Sequence, residues 1–370
     1  MKNVRATRAI IHLNNLKNNI RQIKNRVGEK IKVCIAVKAD AYGHGAVEVC
    51  KAALEEAVNS FGVATVEEGI ELRAAGIKQP VLMYSLPFPD ELPEIVRWDL
   101  SVFIADKTGL ELLAKEAEKQ RKTAGVHIKI DTGMGRIGCR PDKAHLLAGL
   151  ISENRYLSLE GICTHFPFSD ENVNEFTNKQ IKIFSSCIEK IKEMGIDPGE
   201  IHTANSGAIA GCPDSYFTTV RPGIMLYGYY PSHNQERMLD IKPVMEFVTK
   251  TSFIKIVDKD TPVSYGMTYR TKSKTKIATI PVGYADGYSR LLSNKGKVFI
   301  KGKFYQVAGR VCMDQIMIDI GIDSDIKVGD DVVLFGPNSQ TAEDIADIMN
   351  TIPYEVTCLI TKRVPRIYMD

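Results

Sequence analysis

Eight short, apolar, β-branched runs, at residues 31–37, 60–65, 80–84, 100–104, 126–131, 157–164, 200–203 and 218–221, follow one another along the chain. The stretches between them, such as 107–122 and 175–194, repeat apolar residues at helical spacing and carry charge on the opposite face. A strand that is apolar at nearly every position is buried on both faces, which is the condition of parallel strands sandwiched or ringed by helices. Eight such units in series predict a (β/α)8 TIM barrel, in which reactive groups belong where strands end. Lys38, Arg136, His165, Ser206 and Arg221 all follow such runs.

After about residue 235 the pattern changes. Shorter runs at 243–256, 276–282, 296–300, 303–308, 315–320 and 331–335 are separated by Gly, Asp, Asn and Lys, and they predict a mainly antiparallel β domain. One helix near 341–350 interrupts it, with Thr341 as its cap and Glu343 and Asp344 in its first turn. The expected division is a barrel over 1–234 and a β domain over 235–370, joined by Pro231-Ser232-His233-Asn234-Gln235-Glu236.

Lys and Arg (48) nearly balance Asp and Glu (45), a net charge of +3 that gives no support to a nucleic-acid or membrane partner. The eight cysteines are scattered, with no Cys-x-x-Cys pair and no Cys/His cluster at metal spacing, so no metal site is expected. They read as reduced thiols of a cytoplasmic protein. Only Ala9-Ile10-Ile11 is apolar near the start, so the sequence offers no secretory signal, and no run reaches the length of a membrane span.

The chemistry concentrates in Val37-Lys38-Ala39-Asp40-Ala41-Tyr42-Gly43-His44-Gly45, where a buried strand ends in a lysine and a glycine-punctuated loop follows. Desolvation lowers a lysine's pKa and keeps part of it neutral, as a carbonyl-capturing nucleophile or a general base requires. This motif resembles the pyridoxal-phosphate lysine motif of bacterial alanine racemases. Further matches follow in the same order: Ile130-Asp131-Thr132-Gly133-Met134-Gly135-Arg136-Ile137-Gly138, Arg221-Pro222-Gly223-Ile224-Met225-Leu226-Tyr227-Gly228, Val263-Ser264-Tyr265-Gly266 and Arg310-Val311-Cys312-Met313-Asp314. The resemblance covers nearly the whole chain.

The resemblance implies pyridoxal 5′-phosphate as cofactor, alanine as substrate, D-alanine for peptidoglycan as product, and a head-to-tail homodimer with two shared sites. It assigns one proton-transfer base to Lys38 and the other to Tyr265, which reaches the partner subunit's site. Arg221 matches the arginine on the pyridine nitrogen. A guanidinium only donates, so it leaves that nitrogen unprotonated and weakens the ring as an electron sink. Ser206, Gly223, Ile224, Tyr42 and Tyr354 match phosphate contacts. Arg136 and the Met313 N–H match substrate-carboxylate contacts, Lys129 the lysine that is often carbamylated, and His165 a residue beside the cofactor ring. His44 is expected only to shape its loop, and the partner subunit's Tyr284 and Tyr354 to crowd the substrate side chain.

The same residues bear on other readings. A decarboxylase of the barrel-plus-β-domain class would carry an acidic group where Arg221 stands, a non-catalytic pyridoxal-phosphate carrier would lack the second domain, and a serine or broad-specificity racemase stays open. Gly133-Met134-Gly135-Arg136-Ile137-Gly138 also spells Gly-x-Gly-x-x-Gly, but the better helix start is Pro141-Asp142 and the strand is the fifth of a barrel, so the dinucleotide reading is rejected.

Overall fold

The computed structural model describes residues 5–170 and 175–370. Nineteen strands fall in chain order. β1 is Arg8–His12, and the next eight are β2 Lys32–Ala36, β3 Ser60–Val63, β4 Val81–Met83, β5 Ser101–Ile104, β6 Ala124–Lys129, β7 Leu157–Cys163, β8 Glu200–His202 and β9 Thr219–Val220. These eight close into a parallel barrel in sequence order, sealed where Lys32 and Val33 of β2 pair with Thr219 and Val220 of β9. The expected barrel is therefore present, each strand lying within or close to its apolar run.

The helices between strands follow from their spacing. In Lys107–Gln120, Leu110, Leu113, Ala114 and Ala117 are buried on one face, Asp106 caps the start by accepting from the Gly109 N–H at 2.8 Å, and Arg121 ends the helix in a left-handed conformation. Each fully buried Leu contributes about 1.5–3 kcal/mol through apolar area removed from water. The turn after β6 leads to a helix whose first residues are Pro141–Lys143, as expected, so the glycine run before it does not cradle a dinucleotide.

The remaining strands are β10 Met245–Lys250, β11 Phe253–Val257, β12 Pro262–Val263, β13 Tyr269–Arg270, β14 Thr275–Ile280, β15 Lys297–Ile300, β16 Lys303–Gln306, β17 Ile316–Asp319, β18 Asp331–Phe335 and β19 Arg366–Met369. They form a six-stranded sheet in the order β16-β15-β18-β10-β1-β19, a three-stranded sheet β11-β14-β17 and the hairpin β12-β13. Every pairing is antiparallel except β1 with β19. The capped helix is Ala342–Met349, with Thr341 and Asp344 forming a reciprocal capping box.

The strands β12, β13 and β19 and a second helix, Pro353–Cys358, lie outside the expected runs, and two further departures have a visible cause. The run at 243–256 is two strands, because the Thr251 N–H turns to Asp330 O and the Ser252 N–H to Thr279 O, both at 2.9 Å, moving the chain from one sheet to another. The N-terminal β1, not anticipated, buries Ala9 and Ile11 and lies between β10 and β19, so a strand that precedes the barrel belongs to the sheet of the second half.

Candidate active site

A cavity of about 750 Å3 opens at the carboxyl ends of the barrel strands, and Lys38, Tyr42, Lys129, Arg136, His165, Ser206, Arg221, Gly223, Ile224 and Tyr354 all line it. Segments after seven of the eight barrel strands and a helix of the second half, Pro353–Cys358, line this one space.

Lys38 enters from the end of β2. The four residues after it, Ala39 to Tyr42, take left-handed backbone angles with φ of 52° to 55°. None is glycine, so each costs about 1–2 kcal/mol that neighbouring contacts must offset. His44 Nδ1 lies 2.9 Å from Ala41 O and 3.0 Å from Tyr42 O, Asp40 Oδ1 accepts from the Ala46 N–H at 2.8 Å, and Arg366 Nε donates to Gly43 O at 3.0 Å. His44 shapes the loop, as expected. Burial, then the charge of Arg136, pushes the Lys38 ammonium below its ordinary pKa, while Glu68 and Cys358 oppose the shift.

Arg221 is buried, and among the described residues it pairs with no carboxylate. Its Nη1 lies 2.7 Å from both His202 Nδ1 and His202 O, and its Nη2 donates to Thr164 O at 2.8 Å and Thr203 O at 3.2 Å. Because a guanidinium only donates, His202 Nδ1 must accept, which puts the His202 proton on Nε2, 2.8 Å from His127 Nδ1. Burial holds both imidazoles well below the usual range, His127 down to about 3, so they stay neutral. Neither histidine was singled out from the sequence, since an isolated strand histidine carries no signal of a partner on another strand.

Lys129 is 3% exposed, and its Nζ stands 5.7 Å from the Phe103 ring centroid with no hydrogen-bonded or ion-paired partner among the described residues. Burial pushes it down to about 8, with Arg221 and Arg136 adding to the effect and Cys163 opposing it. Arg136 follows on a turn organised by Asp131, whose carboxylate accepts the Gly133 N–H at 2.9 Å and the Gly135 N–H at 3.1 Å. Sequence reasoning passed over Asp131 in this role. The Arg136 side chain is exposed towards the cavity with no hydrogen-bonded partner among the described residues. His165 is held far below its ordinary pKa by burial and by Arg221, Lys129, Arg136 and Lys38.

At the other end of the cavity, Ser206 begins the helix Ser206–Gly211, capped by Asn205, and its Oγ accepts the Gly223 N–H at 2.9 Å. Its own proton is left to donate outward. A Cβ on Gly223 would stand 2.7 Å from Tyr42 Oη, so glycine is required for the phenol to reach this corner. Tyr354 faces Tyr42 with ring centroids 5.8 Å apart. Hydroxyls, backbone N–H groups and cations dominate this lining, with Asp170 its one carboxylate, and suit a phosphate-bearing anion within reach of Lys38.

Tyr265 and Met313 do not line the cavity of their own chain. They are 71% and 52% exposed and share one face of the second half. Ser264 Oγ donates to Arg310 O at 2.6 Å, the Tyr284 N–H to Cys312 O at 3.1 Å and the Ala285 N–H to Met313 O at 3.0 Å, which ties the Tyr265, Met313 and Tyr284 turns together. Among the described residues no group of acidic, histidine or cysteine side chains could hold a metal ion, and no helix is long and apolar enough to cross a membrane.

The family model for the alanine racemase N-terminal domain matches residues 11–231, and that for the alanine racemase C-terminal domain matches 244–368. An alanine racemase of Treponema denticola is 48% identical over 376 residues, covering 99% of each chain. The solved alanine racemase of Clostridium difficile 630 superposes with a TM-score of 0.96 at 42% identity, covering 100% of this chain and 97% of that one. A structure of that racemase in complex with cycloserine superposes with a TM-score of 0.94 at 41% identity, covering 100% and 96%.

Proposed function

The chain belongs to the alanine racemase family and is an isomerase of alanine, and we propose that it works with pyridoxal 5′-phosphate between two bases, Lys38 and Tyr265 of the partner subunit. The observation that carries this reading is the meeting of Lys38, Arg221 and the Tyr42–Gly223–Ser206 corner in one cavity. Lys38 would capture the carbonyl, Arg221 would donate to the ring nitrogen, and Ser206, Tyr42, Tyr354 and the Gly223–Ile224 backbone would hold the phosphate. When bound, the cofactor supplies the electron sink that makes the α-proton removable.

The chain's own residues do the rest. Lys38 takes or returns a proton on one face of the substrate. Tyr265 of the partner subunit serves the other face. Arg221 leaves the ring nitrogen unprotonated, which keeps the sink weak and favours prompt return of the proton over transamination. Arg136 and the Met313 N–H of the partner subunit orient the carboxylate. Lys129 would add carbon dioxide at its neutral amine, releasing a proton and setting an anion against Arg136.

The exposed face carrying Tyr265, Met313 and Tyr284 supports a homodimer in which each subunit completes its partner's site. Activity per subunit should then fall on dilution below the dimer dissociation constant. We also read the enzyme as cytoplasmic, supplying D-alanine to peptidoglycan. Serine turnover at a lower rate is compatible with this reading, because an apolar pocket rejects one extra hydroxyl by only about 100-fold.

The test is to incubate protein and pyridoxal phosphate with L-alanine in deuterated water. Deuterated D-alanine without pyruvate or carbon dioxide is the expected result. No α-exchange with alanine, alongside carbon dioxide release from a basic amino acid, would overturn it.

A further inference from the structure

Glu68 stands outside every motif that identifies the site, yet both of its carboxylate oxygens serve the loops around Lys38. Oε1 accepts the N–H of Ala39, the residue after the lysine, at 2.6 Å, and Oε2 accepts the N–H of Ala64, at the end of β3, at 2.7 Å. Neither N–H has another partner among the described residues. Glu68 occupies the third position of the helix Val66–Ala74, where the Thr65 cap receives its N–H, so the carboxylate stands on a rigid base at a helix start.

Ala39 is the first residue of the left-handed turn and directly follows Lys38, so the direction of its N–H bears on where the Lys38 side chain departs. The Ala64 carbonyl accepts from Ser85 Oγ at 2.7 Å, and Ala64 and Ser85 both line the cavity, so the same carboxylate also braces the neighbouring wall. Among ordinary side chains of this length, only a carboxylate presents two acceptor oxygens. An amide presents one acceptor and one donor.

We propose that Glu68 is a positioning residue for Lys38, clamping the loops after β2 and β3 through the Ala39 and Ala64 N–H groups so that the amine is held at the reacting carbon. This rests on the role given to Lys38 above. The clamp is charge-assisted, and so is stronger than a neutral hydrogen bond would be. It holds geometry rather than binding substrate, so its loss falls on turnover. A small displacement of a reacting group slows the chemical step without weakening substrate contacts made elsewhere.

The experiment uses the cofactor-loaded enzyme with Glu68→Gln, which keeps the volume but sets an NH2 donor against an N–H donor. We would measure kcat per bound cofactor and KM for L-alanine, the visible circular dichroism of the bound cofactor, and amide exchange over residues 37–43. The expected result is kcat lower by roughly tenfold or more, KM within about twofold, weakened dichroism and faster exchange at Ala39. If Glu68→Gln does not fold, Glu68→Asp keeps the charge but is too short to reach both N–H groups, and it should show the same split.

Wild-type kcat per bound cofactor in the variant that folds, even with a lower melting temperature, would overturn the proposal by reducing Glu68 to a structural role. Equal losses in kcat and 1/KM would do the same. Lys38→Ala separates the underlying reading. If it keeps the visible band of protein-linked cofactor, Lys38 is not the capturing amine. If it loses that band while Glu68→Gln behaves as wild type, only the clamp fails.

Discussion

Tyr42 Oη stands 2.7 Å from the point where a Cβ on Gly223 would lie, so the phenol and the glycine backbone share one corner of the cavity. Gly223→Ala should therefore displace Tyr42 and weaken cofactor binding by about 1–3 kcal/mol, or roughly tenfold to a hundredfold. Adding Tyr42→Phe removes the overlapping oxygen and should recover part of the loss. Titrating visible absorbance against added cofactor reads both, and an unaltered affinity in Gly223→Ala would refute the shared corner.

Arg221→Lys should lower kcat by about tenfold or more, because an ammonium cannot span the carbonyls of Thr164, His202 and Thr203 and the His202 ring at once. Arg221→Glu should strengthen the ring as an electron sink and raise pyruvate formed per racemisation event. Pyruvate assay during turnover checks this, and an unchanged ratio would remove Arg221 from the ring nitrogen.

Lys129 makes stability depend on pH with a definite sign. Its folded pKa, about 8, lies below the ordinary 10.5, so between these values the unfolded chain binds more protons and stability rises with pH. Below pH 8 the buried charge costs on the order of 3 kcal/mol. In the cofactor-free chain, Lys129→Met should abolish this rise and increase the melting temperature at pH 7. A variant whose melting profile keeps the wild-type slope over this range would contradict the burial argument. Holding the protein in carbon dioxide should add one carboxylate to Lys129, seen by mass spectrometry.

Tyr265→Phe should leave stability within about 0.5 kcal/mol, since the side chain is 71% exposed in its own chain. Proton removal from L-alanine should slow by roughly a hundredfold or more while cofactor binding is spared. Unaltered kinetics from the L side would end the assignment of that base. Mixing Tyr265→Phe with Lys38→Ala chains tests sharing between subunits. A mixed dimer pairs one intact site with one doubly altered site, so activity should return on mixing.

The barrel was legible because its strands are buried on both faces and leave near-continuous apolar runs such as Val33-Cys34-Ile35-Ala36. β1 escaped notice because it is five residues long and finds its pairing partners, β10 and β19, only across the length of the chain. The left-handed turn after Lys38 could not be read from Ala39-Asp40-Ala41-Tyr42, since only Asp40 there leans towards that conformation and as a single residue. Contacts from His44, Asp40 and Arg366 impose it. Glu68 reads in sequence as an ordinary acid in a helix's first turn, because the two N–H groups that it accepts come from separate loops.

Periodicity determined the barrel strands and the two-part architecture, since burial and helical spacing are local properties of a chain, and the family resemblance of the runs around Lys38, Arg136, Arg221, Tyr265 and Met313 supplied the expected chemical groups. Tertiary structure decided which of those groups meet. It brings Lys38, Lys129, Arg136 and Arg221 into one cavity, buries Lys129 and Arg221 there with no carboxylate paired to either among the described residues, and leaves Tyr265 and Met313 on an outer face of the same chain. Convergence of this kind depends on barrel closure and on where each strand ends, and those are set by pairings between residues far apart in sequence.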